Sequence, residues 1–445
     1  MSGYDLIIRG GTVVSHAGEG VGDIGVRDGR IAAIGDLAQA SAGETIDAKG
    51  LHVLPGVIDT QVHFREPGLT HKEDFSTGSA AAALGGVTAV FEMPNTNPST
   101  TSAEALDDKL ARAKGRFHVD HAFYVGATKE NADQLGELER LPGCCGVKTF
   151  MGSSTGTLLV EDDEGLARVL QNIRRRAAFH AEDEARLNAR KPLARAGDWT
   201  SHPEVRDDQT ALLAVQRLVA MARKYGKRVH VLHVSSKIEM EFLAAAKDVA
   251  TVETLPQFLT FEGPEIYQRL HGRGQMNPPI RYAADRAALW DLGIAQGVVD
   301  VLGTDHAPHT LEEKQKPYPQ SPSGMPGVQT LVPVMLTHVV EGRLSLARFV
   351  DLTSAGPARI FNIAGKGRIA LGYDADFTLA DLKARRTIAN ADQATRAGWT
   401  PFDGFTAKGW PMATIVRGRA VMREGVLIGE ASGAPIRFLE TLAGA

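Results

Sequence analysis

Eight short apolar segments alternate with longer helix-forming stretches between residues 53 and 305, and no other feature constrains the fold as strongly. The intervening segments, such as 104–113 and 209–224, combine helical periodicity with good helix formers. Eight such units favour an α/β fold, a TIM-type (β/α)8 barrel, over the alternative of a doubly wound open sheet. We predict barrel strands at 53–63, 88–93, 121–125, 146–151, 177–180, 228–234, 249–254 and 299–305.

The two ends of the chain differ from this pattern, because both consist of short strand-like runs and tight turns. Asp28-Gly29 lies between two apolar runs and is a strong hairpin signal. Segments 374–381 and 413–421 also have strand-like patterns. We therefore expect one small composite β-sandwich built from both termini, residues 1–54 and 366–445, beside a barrel at 55–365.

Composition excludes several classes of function. A net charge of -4 in 445 residues gives no electrostatic case for binding nucleic acid or an anionic membrane. No apolar run reaches the roughly 18 residues of a membrane helix, and the chain opens on a strand-like segment rather than a signal peptide. Its two cysteines, Cys144 and Cys145, are adjacent, so we interpret both as small buried residues rather than as a disulfide. These features predict a cytoplasmic protein.

Polar residues stand where the predicted strands end, which is where barrels of this type carry their working side chains. His63 and Arg65 are two residues apart and share one face of their strand, whereas His230 has the opposite parity to His233 and should face the barrel wall. Imidazole and carboxylate groups bind metals such as zinc and activate water, so the pattern predicts a metal-dependent hydrolytic site. The candidates are His63, Arg65, Asn95, Lys148, His180, His233, Asp305 and His309.

Lys148, Gln61 and Arg65 each need a separate interpretation. Lys148 either points away from metal or pairs with a surface carboxylate, or it reacts with carbon dioxide to give a carbamate that bridges two metals. Gln61 lies on the same face as His63, where a histidine would complete a two-histidine metal clamp. Arg65, with Asn95 and His309, is interpreted as an anion receptor, since a guanidinium group binds a carboxylate through two hydrogen bonds.

Six short motifs stand out, and four of them contain candidate residues. They are 55–68 (PGVIDTQVHFREPG), 93–98 (MPNTNP), 146–152 (GVKTFMG), 276–281 (MNPPIR), 303–309 (GTDHAPH) and 372–376 (GYDAD). Over nearly the whole chain they resemble the amidohydrolase superfamily, and within it the dihydroorotases of the cyclic amidohydrolase group.

The resemblance implies a metal centre of one or two zinc ions. His63, carboxylated Lys148 and Asp305 would hold one ion, while Lys148, His180 and His233 would hold the second. Gln61 departs from the family pattern, which has histidine there. A glutamine oxygen is a poorer zinc ligand than imidazole. Three outcomes stay open: a weakened first metal site with Gln61 as a ligand, an enzyme that uses one metal, or a non-catalytic homologue.

The resemblance also implies the substrate and the roles around it. A hydroxide between the metals would attack a ring amide carbonyl, and Asp305 would carry its proton to the departing nitrogen. Arg65, Asn95 and His309 would bind the exocyclic carboxylate, and Asn277 would contact the ring. The reaction would be the reversible interconversion of dihydroorotate and N-carbamoyl-L-aspartate in de novo pyrimidine biosynthesis, carried out by a homo-oligomer, either a dimer or a tetramer.

Two alternatives remain at this point. Segment 323–329 (SGMPGVQ) looks more like the hydantoinase and allantoinase branch, which would favour a different cyclic amide. A non-catalytic homologue would instead support a partner, for which aspartate transcarbamoylase is the candidate.

Overall fold

Two sheets organise the protein, whose computed structural model describes residues 3–15, 18–154 and 158–442. Among the helices of these residues, none combines the length and apolar character needed to cross a membrane. The strands are β1 (Tyr4–Ser15), β2 (Gly18–Arg27), β3 (Arg30–Gly35), β4 (Ala42–Asp47), β5 (His52–Pro55), β6 (Val57–Val62), β7 (Val87–Glu92), β8 (Asp120–Gly126), β9 (Cys144–Phe150), β10 (Ala177–His180), β11 (Val229–Val231), β12 (Ala250–Thr254), β13 (Val301–Leu302), β14 (Phe377–Thr387), β15 (Thr406–Val416), β16 (Arg419–Arg423) and β17 (Val426–Leu427).

The helices follow the predicted alternation. Both segments named from the sequence are helical, the first capped by Ser102 and the second by Asp207, whose side chains accept backbone N–H bonds. The helices are α1 (Phe75–Leu84), α2 (Ala103–Ala113), α3 (Leu135–Leu138), α4 (Asp163–Asn172), α5 (Glu184–Arg190), α6 (His202–Val205), α7 (Asp208–Tyr225), α8 (Lys237–Ala244), α9 (Pro256–Thr260), α10 (Glu265–Leu270), α11 (Ala283–Ala288), α12 (Leu311–Lys314), α13 (Leu331–Val340), α14 (Leu346–Val350) and α15 (Gly356–Ile360).

Strands β6 to β13 form one parallel sheet in which each strand pairs with the next along the chain. The two ends of this sheet meet where Val62 bridges His306 and the His63 N–H donates to the His306 carbonyl at 2.7 Å. The Thr304 hydroxyl and N–H strengthen the closure by donating to the Asp59 carboxylate at 2.5 and 3.1 Å. The predicted TIM-type barrel is confirmed and the open-sheet alternative is wrong.

Three predicted barrel strands differ from the observed ones by more than two residues. Segment 53–63 is two strands, with Gly56 between them, because β5 joins the other sheet and β6 the barrel. A Cβ at Gly56 would lie 2.3 Å from the Thr88 hydroxyl, so only glycine fits there. Strands β11 and β13 stop before the predicted ends, since His233 and Asp305 have φ of 40° and 47°, which strand geometry does not allow.

Both termini build the second sheet, which is mostly antiparallel and has nine strands, β1 to β5 and β14 to β17. The predicted hairpin at Asp28-Gly29 is confirmed between β2 and β3, and both residues have positive φ. The predicted strand at 413–421 is interrupted, because Arg417 and Gly418 also have positive φ and form a turn.

A buried charge cluster ties this sheet to the barrel. The Lys366 ammonium donates to Asp376, just before β14, at 2.5 Å and to Asp120 of β8 at 2.7 Å. A third carboxylate, that of Asp374, lies 3.4 Å away. Burial opposes the charged form of Lys366, but the three carboxylates outweigh it and raise the pKa of Lys366 above its usual range.

The two cysteines lie inside the barrel wall on β9. Both are buried and neither forms a disulfide, as predicted. Burial raises the pKa of the Cys144 thiol to about 11, so it is a packing residue rather than a reactive one.

Candidate active site

A narrow cavity of about 20 Å³ lies at the carboxyl ends of the barrel strands. Phe150, Ser154 and Ala307 contribute to its wall without having been named as site candidates, and Ser323 and Gly324 come from the segment noted for its resemblance to hydantoinases and allantoinases. Of the predicted site residues, His309 is not on the wall but lies directly behind Arg65. The predicted residues that line the cavity are Gln61, His63, Arg65, Asn95, Lys148, His180, His233, Asn277 and Asp305.

Asp305 contacts both Gln61 and His63 on one side of the cavity. Its Oδ1 accepts a hydrogen bond from Gln61 Nε2 at 3.0 Å and lies 3.0 Å from His63 Nε2. The other ring nitrogen of His63, Nδ1, is 2.8 Å from Asn95 Oδ1 and therefore carries a proton. Burial lowers the pKa of His63 to about 4, so this imidazole is neutral at neutral pH.

His180 and His233 form a second pair across the cavity, with His180 Nδ1 and His233 Nε2 3.0 Å apart. His180 Nε2 is 2.8 Å from a Glu182 carboxylate oxygen, which fixes the ring orientation. Burial acts to raise the pKa of Glu182, but the Arg206 guanidinium at 2.5 Å, together with His180, holds it below its usual range. Glu182 and Arg206 were not predicted, although a carboxylate two residues after a strand-end histidine was a signal.

Lys148 lies between these pairs on β9. Its ammonium lies 4.6 Å from the centroid of the Phe150 ring, and in the described part of the chain no residue forms a hydrogen bond with it. Burial lowers the pKa of Lys148 to about 7. Lys148 therefore does not point away to a surface carboxylate, and it presents a partly deprotonated amine to the cavity.

Arg65 is almost completely buried and has a φ of 62°. Its Nε donates to the Pro308 carbonyl at 3.1 Å, and its Nη2 lies 3.3 Å from His309 Nε2. Nη1 is buried and has no hydrogen-bond partner among the residues described. Burial lowers the pKa of Arg65 to about 10, so the guanidinium stays charged at neutral pH.

Two buried side chains, Lys314 and His202, hold segments that contribute to the cavity wall. The Lys314 ammonium donates to the carbonyls of Gln275, Pro322 and Gly324 at 2.7 to 3.0 Å. Asn277, on the same wall, has its Oδ1 3.1 Å from His202 Nε2. Lys314 was not predicted, because its partners are backbone carbonyls that leave no sequence pattern.

His309 is fixed from three directions. Lys72 Nζ donates to its Nδ1 at 3.0 Å, so the ring proton is on Nε2 and faces the Ser323 carbonyl at 3.1 Å. Trp399, from the segment between β14 and β15, donates its indole N–H to the His309 carbonyl at 2.8 Å. A segment that connects two strands of the second sheet thus helps to fix His309 behind the cavity wall.

The imidazole and carboxylate groups are arranged as two pairs. Within the described ranges, no three histidine, cysteine, aspartate or glutamate side chains converge into a metal-binding cluster. The amine of Lys148 and the amide of Gln61 lie on the same cavity wall. Gln61 Oε1 is buried and has no hydrogen-bond partner among those residues.

A parallel barrel with imidazole, carboxylate, lysine and arginine side chains in one cavity at its carboxyl end defines a small-molecule hydrolase. Residues 52–421 match the model of the amidohydrolase family, and the chain belongs to that family. Enzymes of this superfamily are generally metal-dependent.

Relatives of several specificities resemble the whole chain. A dihydroorotase from Methanothermobacter thermautotrophicus is 36% identical over 91% of this chain and 92% of its own length. An allantoinase from Rubrobacter xylanophilus is 37% identical over 98% of both chains. The structure of an L-hydantoinase from Arthrobacter aurescens superposes with a TM-score of 0.94 at 31% identity, over 98% of this chain and 100% of that one. Fold and relatives together support a cyclic amidohydrolase.

Proposed function

We propose that this protein is a dihydroorotase, which interconverts dihydroorotate and N-carbamoyl-L-aspartate. The observation that carries the proposal is the buried Nη1 of Arg65, which has no protein partner in the described part of the chain and adjoins the cavity. A buried guanidinium without an anion is costly, so the site favours a ring that carries a carboxylate. Hydantoin has no such group.

The donors on the wall fit a metal ion. With Asn95 accepting from His63 Nδ1, the Nε2 lone pair of neutral His63 faces Asp305 Oδ1 at 3.0 Å. Two acceptors in that position repel each other unless a cation lies between them. Gln61 Oε1 adds a buried oxygen without a partner among the residues described. His63, Asp305 and Gln61 would hold one zinc ion.

His180, His233 and Lys148 supply the donors for a second zinc ion. Glu182 directs one His180 nitrogen away from the cavity, so the other is left for a ligand. The lowered pKa of Lys148 provides the free amine that carbon dioxide needs to form a carbamate, an anionic ligand able to serve both ions. A metal bound here would lower the pKa of water and make a nucleophile available at neutral pH.

The protein's own groups would then orient the ring and move the proton. Arg65 would bind the substrate carboxylate through Nη1, with Asn95 and His309 beside it. Asn277 would contact the ring from the opposite wall. Asp305, which lies 3.0 Å from the His63 nitrogen, would accept the proton released by water and donate it to the ring nitrogen as the amide bond breaks.

The substrate preference can be measured directly. Purified protein, incubated with zinc and bicarbonate, is assayed with dihydroorotate, hydantoin and allantoin as parallel substrates. We expect kcat/KM for dihydroorotate to exceed the other two values. Absence of dihydroorotate turnover beside clear turnover of another ring would overturn the proposal.

An allantoin or hydantoin specificity is the second candidate. It is supported by the allantoinase relative, which matches this chain over 98% of its length, and by the L-hydantoinase fold. Segment 323–329 places Ser323 and Gly324 on the cavity wall, where they would contact a ring substituent. The three-substrate assay separates this candidate from the first.

A dihydroorotase has an expected pathway, location and oligomeric state. A dihydroorotase acts in pyrimidine synthesis, in the cytoplasm, and as a homo-oligomer of two or four chains. A non-catalytic homologue that supports aspartate transcarbamoylase would instead show no bound metal and no turnover after loading. Tight stoichiometric metal would contradict that role.

A further inference from the structure

A second cavity, of about 370 Å³ and partly open to solvent, lies at the opposite end of the barrel. Residues 174–176 precede β10 and residues 227–228 precede β11, so the amino ends of two barrel strands form its wall. Phe361 and Ile360 give it an apolar floor. It is separate from the catalytic cavity, to which the carboxyl ends of the strands contribute.

The wall of this cavity is strongly basic. Of its twelve residues, six are arginine or lysine and one, Glu440, is a carboxylate. This local excess contrasts with the net charge of -4 of the whole chain. The cations are Arg174, Arg175, Arg176, Lys227, Arg228 and Arg359.

Three of the six have a structural role that explains them. Arg175 donates to the carbonyls of Glu139, Cys144 and Phe361 at 2.9 to 3.3 Å. Lys227 donates to the Ile173 carbonyl at 2.7 Å. The third, Arg359, contacts a carboxylate outside the wall, that of Asp351, at 3.3 Å.

The other three arginines have no carboxylate within ion-pair distance in the part of the chain that the structure describes. Arg176 is half-buried, and the hydrogen bond it donates goes to the Val229 carbonyl at 3.1 Å. Burial, and then the neighbouring charge of Arg228, lower the pKa of Arg176 to about 10. Arg174 and Arg228 make no side-chain hydrogen bond with the described residues. Like charges that line one cavity repel each other, and a bound anion would relieve the repulsion.

We propose that this cavity binds a phosphate-bearing small molecule. Arg174, Arg176 and Arg228 would contact its phosphate oxygens, since guanidinium groups match phosphate geometry through paired hydrogen bonds. Three uncompensated cations favour a multiply charged anion over a single carboxylate. The cavity is larger than one phosphate requires, and its apolar floor suits the organic part of a nucleotide.

The test measures binding of inorganic triphosphate and of ATP at about 0.15 M salt, where weak surface attraction is screened. The readouts are equilibrium dialysis and the ligand-induced rise in Tm. We expect saturable binding of one anion per chain. Equal affinities for triphosphate and ATP would indicate that the site recognises phosphate alone. A higher affinity for ATP would indicate that the apolar floor also contacts the ligand.

Two substitutions locate the site. Arg228→Gln, at an exposed position, and Arg176→Gln should each weaken binding on the order of 10-fold, the loss of one charged hydrogen bond. Arg112→Gln makes the same change of charge at an exposed helical site on α2 and should leave binding unchanged.

Arg65→Met provides the second control, because the catalytic arginine could also attract an anion. Binding should survive this substitution. Absence of binding to the wild type up to about 10 mM, or binding that Arg65→Met abolishes while Arg228→Gln and Arg176→Gln do not alter it, would overturn the proposal.

Discussion

Gln61 Nε2 donates a hydrogen bond of 3.0 Å to Oδ1 of Asp305, the same oxygen that lies 3.0 Å from His63 Nε2. The residue that departs from the family pattern therefore lies within the site and contacts its central carboxylate. Its Oε1 stays buried and, among the described residues, has no hydrogen-bond partner. The role of Gln61 can therefore be tested by measuring the affinity of the site for metal.

Replacing this residue, Gln61→His, should raise the affinity for zinc on the order of 10-fold, because imidazole is a stronger zinc ligand than an amide oxygen. Affinity is measured by dialysis against graded chelator followed by metal analysis. Gln61→Asn is the control, since it keeps the amide but shortens its reach, and it should not raise the affinity. If Gln61→His alters neither metal occupancy nor rate, Gln61 does not contact the metal.

Arg65→Met should lower kcat/KM for dihydroorotate on the order of 100-fold, because it removes a charge-assisted bond to the carboxylate. Hydantoin has no carboxylate, so any turnover of hydantoin should fall much less. Arg65→Lys keeps the charge but not the planar pair of donors and should give an intermediate value. Equal losses on both rings would mean that Arg65 acts by holding the Pro308 carbonyl and not by binding substrate.

The barrel and most of the cavity could be predicted from the sequence because both depend on local patterns. Apolar runs alternate with helices, and parallel strands end at the same rim, so a polar residue at each end was sufficient to place Lys148 and His180 together. The turns at His233 and Asp305 were missed, since a positive φ in these residues has no pattern in the sequence.

The groups that hold the site in place were also missed, for a different reason. Lys314 donates hydrogen bonds to three carbonyls, and Trp399 donates one to the His309 carbonyl from a segment 90 positions further along the chain. The Lys314 contacts join loops of the barrel that are distant in sequence, and the Trp399 contact depends on how the second sheet docks on the barrel. No local periodicity encodes that docking.

Lys366→Met should destabilise the protein by roughly 3–5 kcal/mol, because it leaves Asp120 and Asp376 buried without their cation. The free energy of unfolding is measured in urea. Lys237→Met is the control, since this exposed lysine makes an i,i+4 pair with Glu241 at 3.7 Å and should change stability by less than about 0.5 kcal/mol. Similar stabilities for the two variants would show that the cluster does not hold the sheet to the barrel.

Asp207, the N-cap of α7, should make stability fall in acid. Burial acts to raise its pKa, but hydrogen bonds from Arg186 and Thr210 outweigh burial and lower it from 3.8 to about 2. Because the pKa of Asp207 is lower in the folded state than in the unfolded state, its ionised form stabilises the fold at pH values above the unfolded-state pKa. This stabilisation is lost as the pH falls through the folded-state pKa. Asp207→Asn keeps the cap without the charge, so its unfolding free energy should fall less than that of the wild type between these two pKa values. Parallel curves would contradict the assignment.

Trp399→Phe should lower kcat/KM on the order of 10-fold while leaving the fold intact. The indole of Trp399 is completely buried, and its N–H fixes the His309 carbonyl at 2.8 Å, next to the proposed carboxylate site. Loss of one neutral hydrogen bond accounts for a change of this size. Trp410→Phe is the matched control, because Trp410 lies on β15 away from the cavity, and its activity should equal that of the wild type. The assay is steady-state turnover of dihydroorotate, with the Tm of each variant as the check on folding. An unchanged kcat/KM in Trp399→Phe, or an equal loss in Trp410→Phe, would show that the segment between β14 and β15 does not position His309.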